Sequence, residues 1–404
     1  MKHLYTLLVP AGLLVLAALA LLRPRALPDW LLPLVHAYPY VVLTAGLVLG
    51  WLFNRSRIVF ALLILAFADR ALLEFAGGGA APAGVGRVVF NAIALLVPLN
   101  LMIFWVLLER GILHLRNLIR LLTVLAQGPL VWFLCRPDQR GLATWLQFRV
   151  LDPDYFAWTA MPQPALVAFA SVFVLQLVRF ARRPNPMESG YIWTLVSAFV
   201  ALSWYRPGVL STSYFATAGL VLIIALLETS YRMAYHDELT GLPGRRALNE
   251  ELLQLGGQYA VAMVDVDHFK RFNDDYGHHV GDQVLRVVGS KLADAPGGGR
   301  AFRYGGEEFA MLFPGKSVED VVPHLETVRQ TIEATPFSIR RRWRPRRRPK
   351  QPKAKRKTPR KVSVTVSIGV AEPGGQTHGS EQVIKAADKA LYRAKDGGRN
   401  QVQW

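Results

Sequence analysis

Two acidic clusters, and the glycines beside one of them, are the residues best placed to do chemistry. Asp265-Val266-Asp267 closes the apolar run Tyr259–Asp265 (YAVAMVD). Gly305-Gly306-Glu307-Glu308 joins two short apolar runs, Ala301–Tyr304 and Glu308–Phe313. Side chains two apart on a strand point the same way, so the first cluster presents paired carboxylates at a strand end. Paired glycines suit a tight hairpin and let backbone approach a ligand closely, because no Cβ intervenes. Where such a strand lies beside such a hairpin, carboxylates from both converge at the sheet edge. Hard divalent cations take such oxygens, and magnesium typically links one or two carboxylates to substrate phosphates. The chemistry this suits is phosphoryl transfer, in which metal neutralises charge and a carboxylate takes the proton from an attacking hydroxyl. Each cluster alone has the composition of a solvated turn; only their convergence makes a site.

A sheet must position them. Val280–Ala293 and Val318–Ala334 have helical spacing, Val362–Val370 (VSVTVSIGV) alternates as a strand, Glu381–Lys395 is helical, and Gln401–Trp404 suits a last edge strand. Strands alternating with helices predict an α/β (α+β) domain over residues 237–404.

The rest of the chain is of another kind. Of 404 residues, 52% are hydrophobic and 19% charged, which excludes a disordered chain and a plain soluble enzyme. Runs able to cross ~30 Å of hydrocarbon recur at about 4–22, 30–53, 57–76, 87–108, 117–135, 155–180, 191–205 and 209–229. No small-residue cleavage site precedes Arg23-Pro24, so the first run is expected as a retained span and not a signal peptide. The expectation is an all-α polytopic membrane module of about eight spans over 1–229, a short stalk over 230–236, and then the α/β domain. Eight spans put both termini on one side, and ten basic residues there against seven opposite favour a cytoplasmic C-terminus. Asp69, Arg70 and Glu74 fall inside the third span. Arg70 and Glu74, four apart, share a helix face and can neutralise each other, as a structural pair or as part of a sensing pocket. The one cysteine, Cys135, excludes an internal disulfide and a multi-thiolate zinc site.

The formal net charge of +18 is largely local. Arg340–Lys361 holds 14 basic residues and no acid; without it, residues 231–404 carry 16 basic against 20 acidic side chains, a net of −4. Its charge density and Pro345, Pro349, Pro352 and Pro359 predict an extended, disordered insertion. Contact with anionic lipid, at ~1 kcal/mol per basic residue near the surface, nonspecific nucleic acid binding and no dedicated partner are all open. The short tether favours lipid, and no specific nucleic acid is expected.

The order of the pieces resembles a family. His236-Asp-Glu-Leu-Thr-Gly-Leu-Pro-Gly-Arg-Arg246 is similar to the opening motif of GGDEF domains, the diguanylate cyclases. Asp265-Val-Asp-His-Phe-Lys270, Asn273, Tyr276-Gly277-His278 and Gly281-Asp282 follow in the family's spacing. Arg303-Tyr-Gly-Gly-Glu-Glu-Phe309 resembles the signature in its Glu variant, and Val364–Val370, Ala387–Lys395 and Gly398-Arg-Asn400 complete the pattern. The resemblance covers roughly Tyr235–Trp404 and says nothing about residues 1–230.

The resemblance implies a palm-like sheet shared with nucleotide cyclases, and condensation of two GTP molecules into cyclic di-GMP with loss of two pyrophosphates. Each subunit of a homodimer would bind one GTP. Asp265, the Val266 carbonyl and Glu307 would bind magnesium or manganese, and Glu307 would also be the base for the 3′-hydroxyl, with Glu308 supporting the metal site. Lys270, Lys395 and Arg399 would meet phosphate, Asn273 and Asp282 would hydrogen-bond guanine, and His278 would line the pocket. A carboxylate accepts from guanine N1–H and amino groups in a pattern adenine lacks, which can discriminate on the order of 10⁴-fold. Where product-inhibited members carry Arg-x-x-Asp, this chain has Pro296 and Gly299, so feedback through that site is not expected. Gly244 stands where Asn is usual and suits an N-cap before Arg245. The whole implies a bacterial inner-membrane cyclase with a cytoplasmic catalytic domain. Two rivals are a catalytically silent GTP- or cyclic-di-GMP-binding receptor and a transporter with a regulatory C-terminal half.

Overall fold

Apolar sequence at helical spacing folds the first unit, Met1–Ser230, as helices and their connections; the second unit is Tyr231–Trp404. The structure, a computed structural model, describes residues 2–22, 29–76, 84–109, 111–112, 114–203, 209–338, 361–374 and 379–404.

The helices are α1 (Lys2–Leu8), α2 (Ala11–Leu21), α3 (Leu32–Leu52), α4 (Ser56–Phe75), α5 (Gly84–Val106), α6 (Leu115–Leu125), α7 (Gln127–Leu134), α8 (Arg140–Trp145), α9 (Gln163–Arg182), α10 (Pro186–Ser203) and α11 (Val209–Tyr235). Among the described residues five are long and apolar enough to cross a membrane: α3, α5, α6 with α7 as Leu115–Leu134, α9, and Leu210–Tyr235 of α11. The other three of the eight expected runs fall short for visible reasons. The first is split into helices of 7 and 11 residues. The third, α4, carries Arg57, Asp69, Arg70 and Glu74, and the seventh, α10, has 18 residues and opens on Pro186 and Glu188. The residues expected as a stalk are the end of α11, with His236 after it.

Helix α4 is nonetheless deep in the unit, where Ile58, Leu62 and Leu72 share a core with Phe90 and Leu101 of α5 and Leu222 of α11. Its Asp69 is buried, accepting from Thr212 Oγ1 at 2.7 Å and pairing with Arg70 at 3.0 Å. Arg70 also donates to the Tyr40 hydroxyl at 3.2 Å. The Arg70–Glu74 pair expected from their spacing does not form, and Glu74 is exposed. A buried carboxylate left unpaired costs far more than an exposed pair contributes, so Asp69 takes the guanidinium.

The second unit contains α12 (Arg245–Gln254), β1 (Tyr259–Val266), α13 (Phe269–Tyr276), α14 (His278–Ala293), β2 (Arg300–Arg303), β3 (Glu308–Pro314), α15 (Val318–Glu333), β4 (Phe337–Ser338), β5 (Lys361–Val362), β6 (Val366–Ala371), α16 (Ser380–Asp396) and β7 (Val402–Gln403). The sheet order is β2-β3-β1-β6-β7, antiparallel except between β6 and β7. Central β1 is buried on both faces, which is why its sequence is a continuous apolar run. Ala260, Val264 and Val266 pack with Val284 of α14 and Leu325 of α15, while Val261 and Met263 pack with Leu248 of α12 and Leu391 of α16. Helix α16 lies so close to β6 that a Cβ on Gly369 would strike the Leu391 and Ala387 backbone. The strand expected over Val362–Val370 is divided: Val362 pairs with Phe337 in a separate two-stranded ladder, and only β6 enters the main sheet. Most of the basic insertion, residues 339–360, lies outside the described residues.

Candidate active site

The register of β1 sets Asp265 opposite Glu308 of β3 and Ser367 of β6. The turn between β2 and β3 closes tightly, with the Tyr304 and Gly305 N–H groups donating to the Glu308 carbonyl at 2.9 and 3.1 Å. The Val266 N–H donates to the Glu307 carbonyl at 3.3 Å, so the strand end carrying Asp265 and the hairpin carrying Glu307 are joined directly. A Cβ on Gly305 would come within 2.7 Å of a Glu308 carboxylate oxygen, whereas one on Gly306 would meet open space. A side chain at the first position would displace the Glu308 carboxylate, and the second leaves room outside.

Electrostatics place the two acids in one field. Burial pushes the Asp265 carboxyl up; Lys395 opposes this, with Nζ 3.0 Å from Oδ2, while Glu308 and Asp267 add to it. Burial also raises Glu307, and the Asp265 charge is the next cause. Carboxylates disfavoured by burial and by each other gain from a cation between them. Among the described residues no three His, Cys, Asp or Glu side chains form a metal cluster by themselves. Two carboxylates with a nearby backbone carbonyl, completed by substrate oxygens, are the donor set that magnesium takes. The residues present fit such an ion.

Asp267 behaves differently from its neighbour two residues back. The strand ends at Val266, and His268 takes a left-handed φ of 56°. Buried Asp267 accepts from Thr365 Oγ1 (2.7 Å), Ser367 Oγ (2.6 Å) and the Asn400 N–H (3.2 Å). Its acceptor capacity is spent tying β1 to the turn after α16, where Arg399 and Asn400 hold φ of 66° and 48°. The paired carboxylates expected at the strand end are therefore one facing Lys395 and one structural.

The remaining expected residues fall into two sets. Lys270 is exposed in the first turn of α13, His278 is exposed at the start of α14, and Arg399 is exposed in the turn after α16. Among the described residues, no hydrogen bond or ion pair joins these three to the acids. Asn273 of α13 packs against Gly281 of α14, where any Cβ would collide with its Oδ1. That amide oxygen is buried without a hydrogen-bond partner, and Asp282, half-buried, follows Gly281. An orphaned buried acceptor is uncommon and calls for a ligand or a bound water.

Two residues inside the sequence motifs, to which the motifs themselves assign no role, position the glycine turn. Arg303, at the end of β2, donates to the carbonyls of Gly305 (3.1 Å) and Gly306 (2.7 Å) and to Asp237 Oδ1 (2.7 Å). Asp237 also accepts from the N–H and hydroxyl of Thr240 at 2.8 and 2.7 Å. Burial pushes the Asp237 carboxyl up, but Arg303 and Thr240 outweigh it and hold it below its ordinary value. The glycine turn is thus pinned to the opening segment. A cation two residues before a pair of glycines and an acid in a Thr-Gly turn were the available signals.

The C-terminal unit is thus a two-faced α/β sheet that presents carboxylates beside a glycine turn. The family model for "Diguanylate cyclase, GGDEF domain" matches residues 234–347 and 341–401. Diguanylate cyclase DgcP of Pseudomonas aeruginosa is 37% identical over 190 residues, covering 44% of this chain and 25% of that protein. Diguanylate cyclase VdcA of Vibrio cholerae is 38% identical over 173 residues, covering 42% and 46%. The response regulator PleD of Caulobacter vibrioides is 33% identical over 189 residues, covering 44% and 37%. The crystal structure of the coiled coil and GGDEF domain of DgcB from Caulobacter crescentus, in complex with c-di-GMP, is 34% identical, with 46% of this chain and 94% of that chain covered at a TM-score of 0.40. The chain spans less than half the length of each curated relative named. Residues 234–401 of the C-terminal unit match the GGDEF domain, and that unit is a GGDEF domain.

Proposed function

We propose that the chain is a membrane-anchored diguanylate cyclase that joins two GTP molecules into cyclic di-GMP with release of two pyrophosphates. The observation that carries this is the meeting of Asp265, Glu307 and Lys395 at the end of the sheet's central strand.

In this reading Asp265, Glu307 and the Val266 carbonyl hold the divalent cation, magnesium or manganese, which supplies charge neutralisation on the triphosphate. Glu308, opposite Asp265, supports their orientation. Glu307 takes the proton from the 3′-hydroxyl of one GTP as that oxygen bonds to the α-phosphorus of the other and the bond to pyrophosphate breaks. A carboxylate raised by burial is a better base for this than one in water. Lys270, Lys395 and Arg399 meet phosphate oxygens. Asn273, with its unspent oxygen, and Asp282 accept from guanine, and His278 lines the pocket. Each subunit of a homodimer brings one GTP, and two such transfers close the ring.

The N-terminal module anchors this domain at a bacterial inner membrane with the catalytic unit in the cytoplasm. Helix α4 supports counting more spans than five, since its buried Asp69 is internally satisfied. Regulation acts through dimer geometry transmitted by the end of α11; full activity after deletion of 1–228 argues against this. The basic insertion contacts anionic lipid.

Full-length protein in detergent, given GTP and magnesium, is expected to yield cyclic di-GMP identified by mass. Glu307→Gln should lower the rate by roughly 10²–10⁴-fold. Protein that binds GTP yet forms no cyclic dinucleotide overturns the proposal.

A further inference from the structure

The N-terminal ends of α5 and α9 border a cavity of about 190 Å³ that none of the chemistry above uses. Arg87 and Asn91, four apart on α5, share a face, and Arg149 reaches the cavity from the loop before α9. Neither arginine has a hydrogen bond or ion pair to a described residue, and no Asp or Glu lines the cavity. Asn91 is 3% exposed, and its Nδ2 has no hydrogen-bond partner. Thr159 Oγ1 accepts from the Met161 N–H at 3.2 Å, which leaves its own proton to donate.

The loop is built to hold Arg149. Gln163 Oε1 accepts from the N–H groups of Val150 and Leu151 at 2.7 and 3.0 Å, and its Nε2 donates to the Leu151 carbonyl at 2.6 Å. Arg87 stands in the first turn of α5, which has no acidic residue. A cation there opposes the helix dipole unless an anion sits beside it. The uncommitted polar groups at the cavity are thus two guanidiniums and the Asn91 and Gln147 amides, with no acid among them.

We propose that this cavity binds a small organic anion through its carboxylate. Guanidinium groups match carboxylates in bidentate fashion, and the amide of Asn91 beside them is a further hydrogen-bonding group at the cavity wall. The volume corresponds to about six liquid-water volumes, below that of drug-sized pockets, so the ligand is metabolite-sized. Phe156 and Met161 offer an apolar wall to its carbon skeleton. On the topology proposed above, both arginines face away from the cytoplasm, which makes the cavity an entry point for an external signal.

Isothermal titration of the full chain in neutral detergent tests this with succinate, glutamate and acetate, with inorganic phosphate, and with a short-chain phosphatidylglycerol. At least one carboxylate should bind saturably, and Arg87→Gln and Arg149→Gln should each weaken it by about tenfold or more, as expected for loss of a charge-assisted contact. Arg182→Gln, outside the cavity, should not. The arginines are exposed, so the variants should keep the parent melting temperature without ligand. No saturable carboxylate binding overturns the proposal, as does binding unchanged in both variants. Arginine-dependent binding of phosphate or of the lipid, without the carboxylates, also overturns it. The readout is binding, so the outcome is independent of whether the C-terminal unit makes cyclic di-GMP.

Discussion

Removing the Arg303 guanidinium tests whether the glycine turn is held in place from the opening segment. Its side chain is 13% exposed and that of Asp237 24%. Arg303→Met deletes three contacts of 2.7–3.1 Å, each with a charged donor. Such bonds contribute about 1.5–3 kcal/mol singly, but they share one group, and the freed acceptors partly rehydrate. The expected loss is about 2–4 kcal/mol, or about 4–16 °C in the melting temperature of a unit this size. A turn shifted by about 1 Å should also lower kcat, by roughly 10²-fold. A double-mutant cycle with Asp237→Asn, read by melting temperature and by cyclic di-GMP formation, should show coupling of at least about 0.5–3 kcal/mol. The low carboxyl pKa of Asp237 adds a signature: its stabilisation is present above 3.8, the unfolded value, and is lost as pH falls through the lower folded value. Arg303→Met should flatten that acid sensitivity. Additive single effects, with unchanged kcat, would refute the reasoning.

Three further outcomes are open to test, two from the same geometry and one from the charge of the insertion. Asp265 is raised above its ordinary 3.8 and Glu307 above its ordinary 4.5, so the folded protein binds protons more readily than the unfolded chain. In chelator these acids should cost stability at neutral pH, a cost relieved as pH falls through their raised values; the difference between parent and Glu307→Gln melting curves should shrink accordingly, and a pH-independent difference sinks the idea. Gly281→Ala drives a methyl into Asn273 Oδ1 and to 3.1 Å from the Phe269 ring, so KM for GTP should rise about tenfold or more with a smaller change in kcat; an unchanged KM removes Asn273 from guanine recognition. Deleting 340–361 should reduce co-sedimentation with anionic liposomes at low salt and leave it unaltered at high salt. Equal sedimentation at low salt ends the lipid assignment.

What the sequence discloses and what it hides divides along a physical line. Strand β1, helices α14 to α16 and the β2–β3 hairpin are legible because their side-chain burial has a period, and a period survives in one dimension. The acids at Asp265 and Glu307 are legible because charge ends a buried run abruptly. Three things are not. The division of Val362–Val370 depends on Phe337 pairing with Val362 across the insertion, and nothing in nine alternating residues encodes a partner that distant. Arg70 has two acids within helical reach, and spacing favours Glu74; burial, a property of the folded bundle, selects Asp69.

Asp267 shows the limit most directly. By type and spacing it is the equal of Asp265. One more residue of strand would have aimed it the same way, but β1 stops at Val266, and the hydroxyls of Thr365 and Ser367 come from a strand about a hundred positions later. Those two hydroxyls and the Asn400 N–H convert a candidate ligand into a fastener for the turn carrying Arg399. The same logic separates Arg303 from the many surface arginines of this chain: its chemistry lies in which carbonyls it reaches. Motif residues that only orient others are therefore where a sequence pattern is least able to assign a role, and where Arg303 and Asp237 variants will report most about how the glycine turn is kept in register with Asp265.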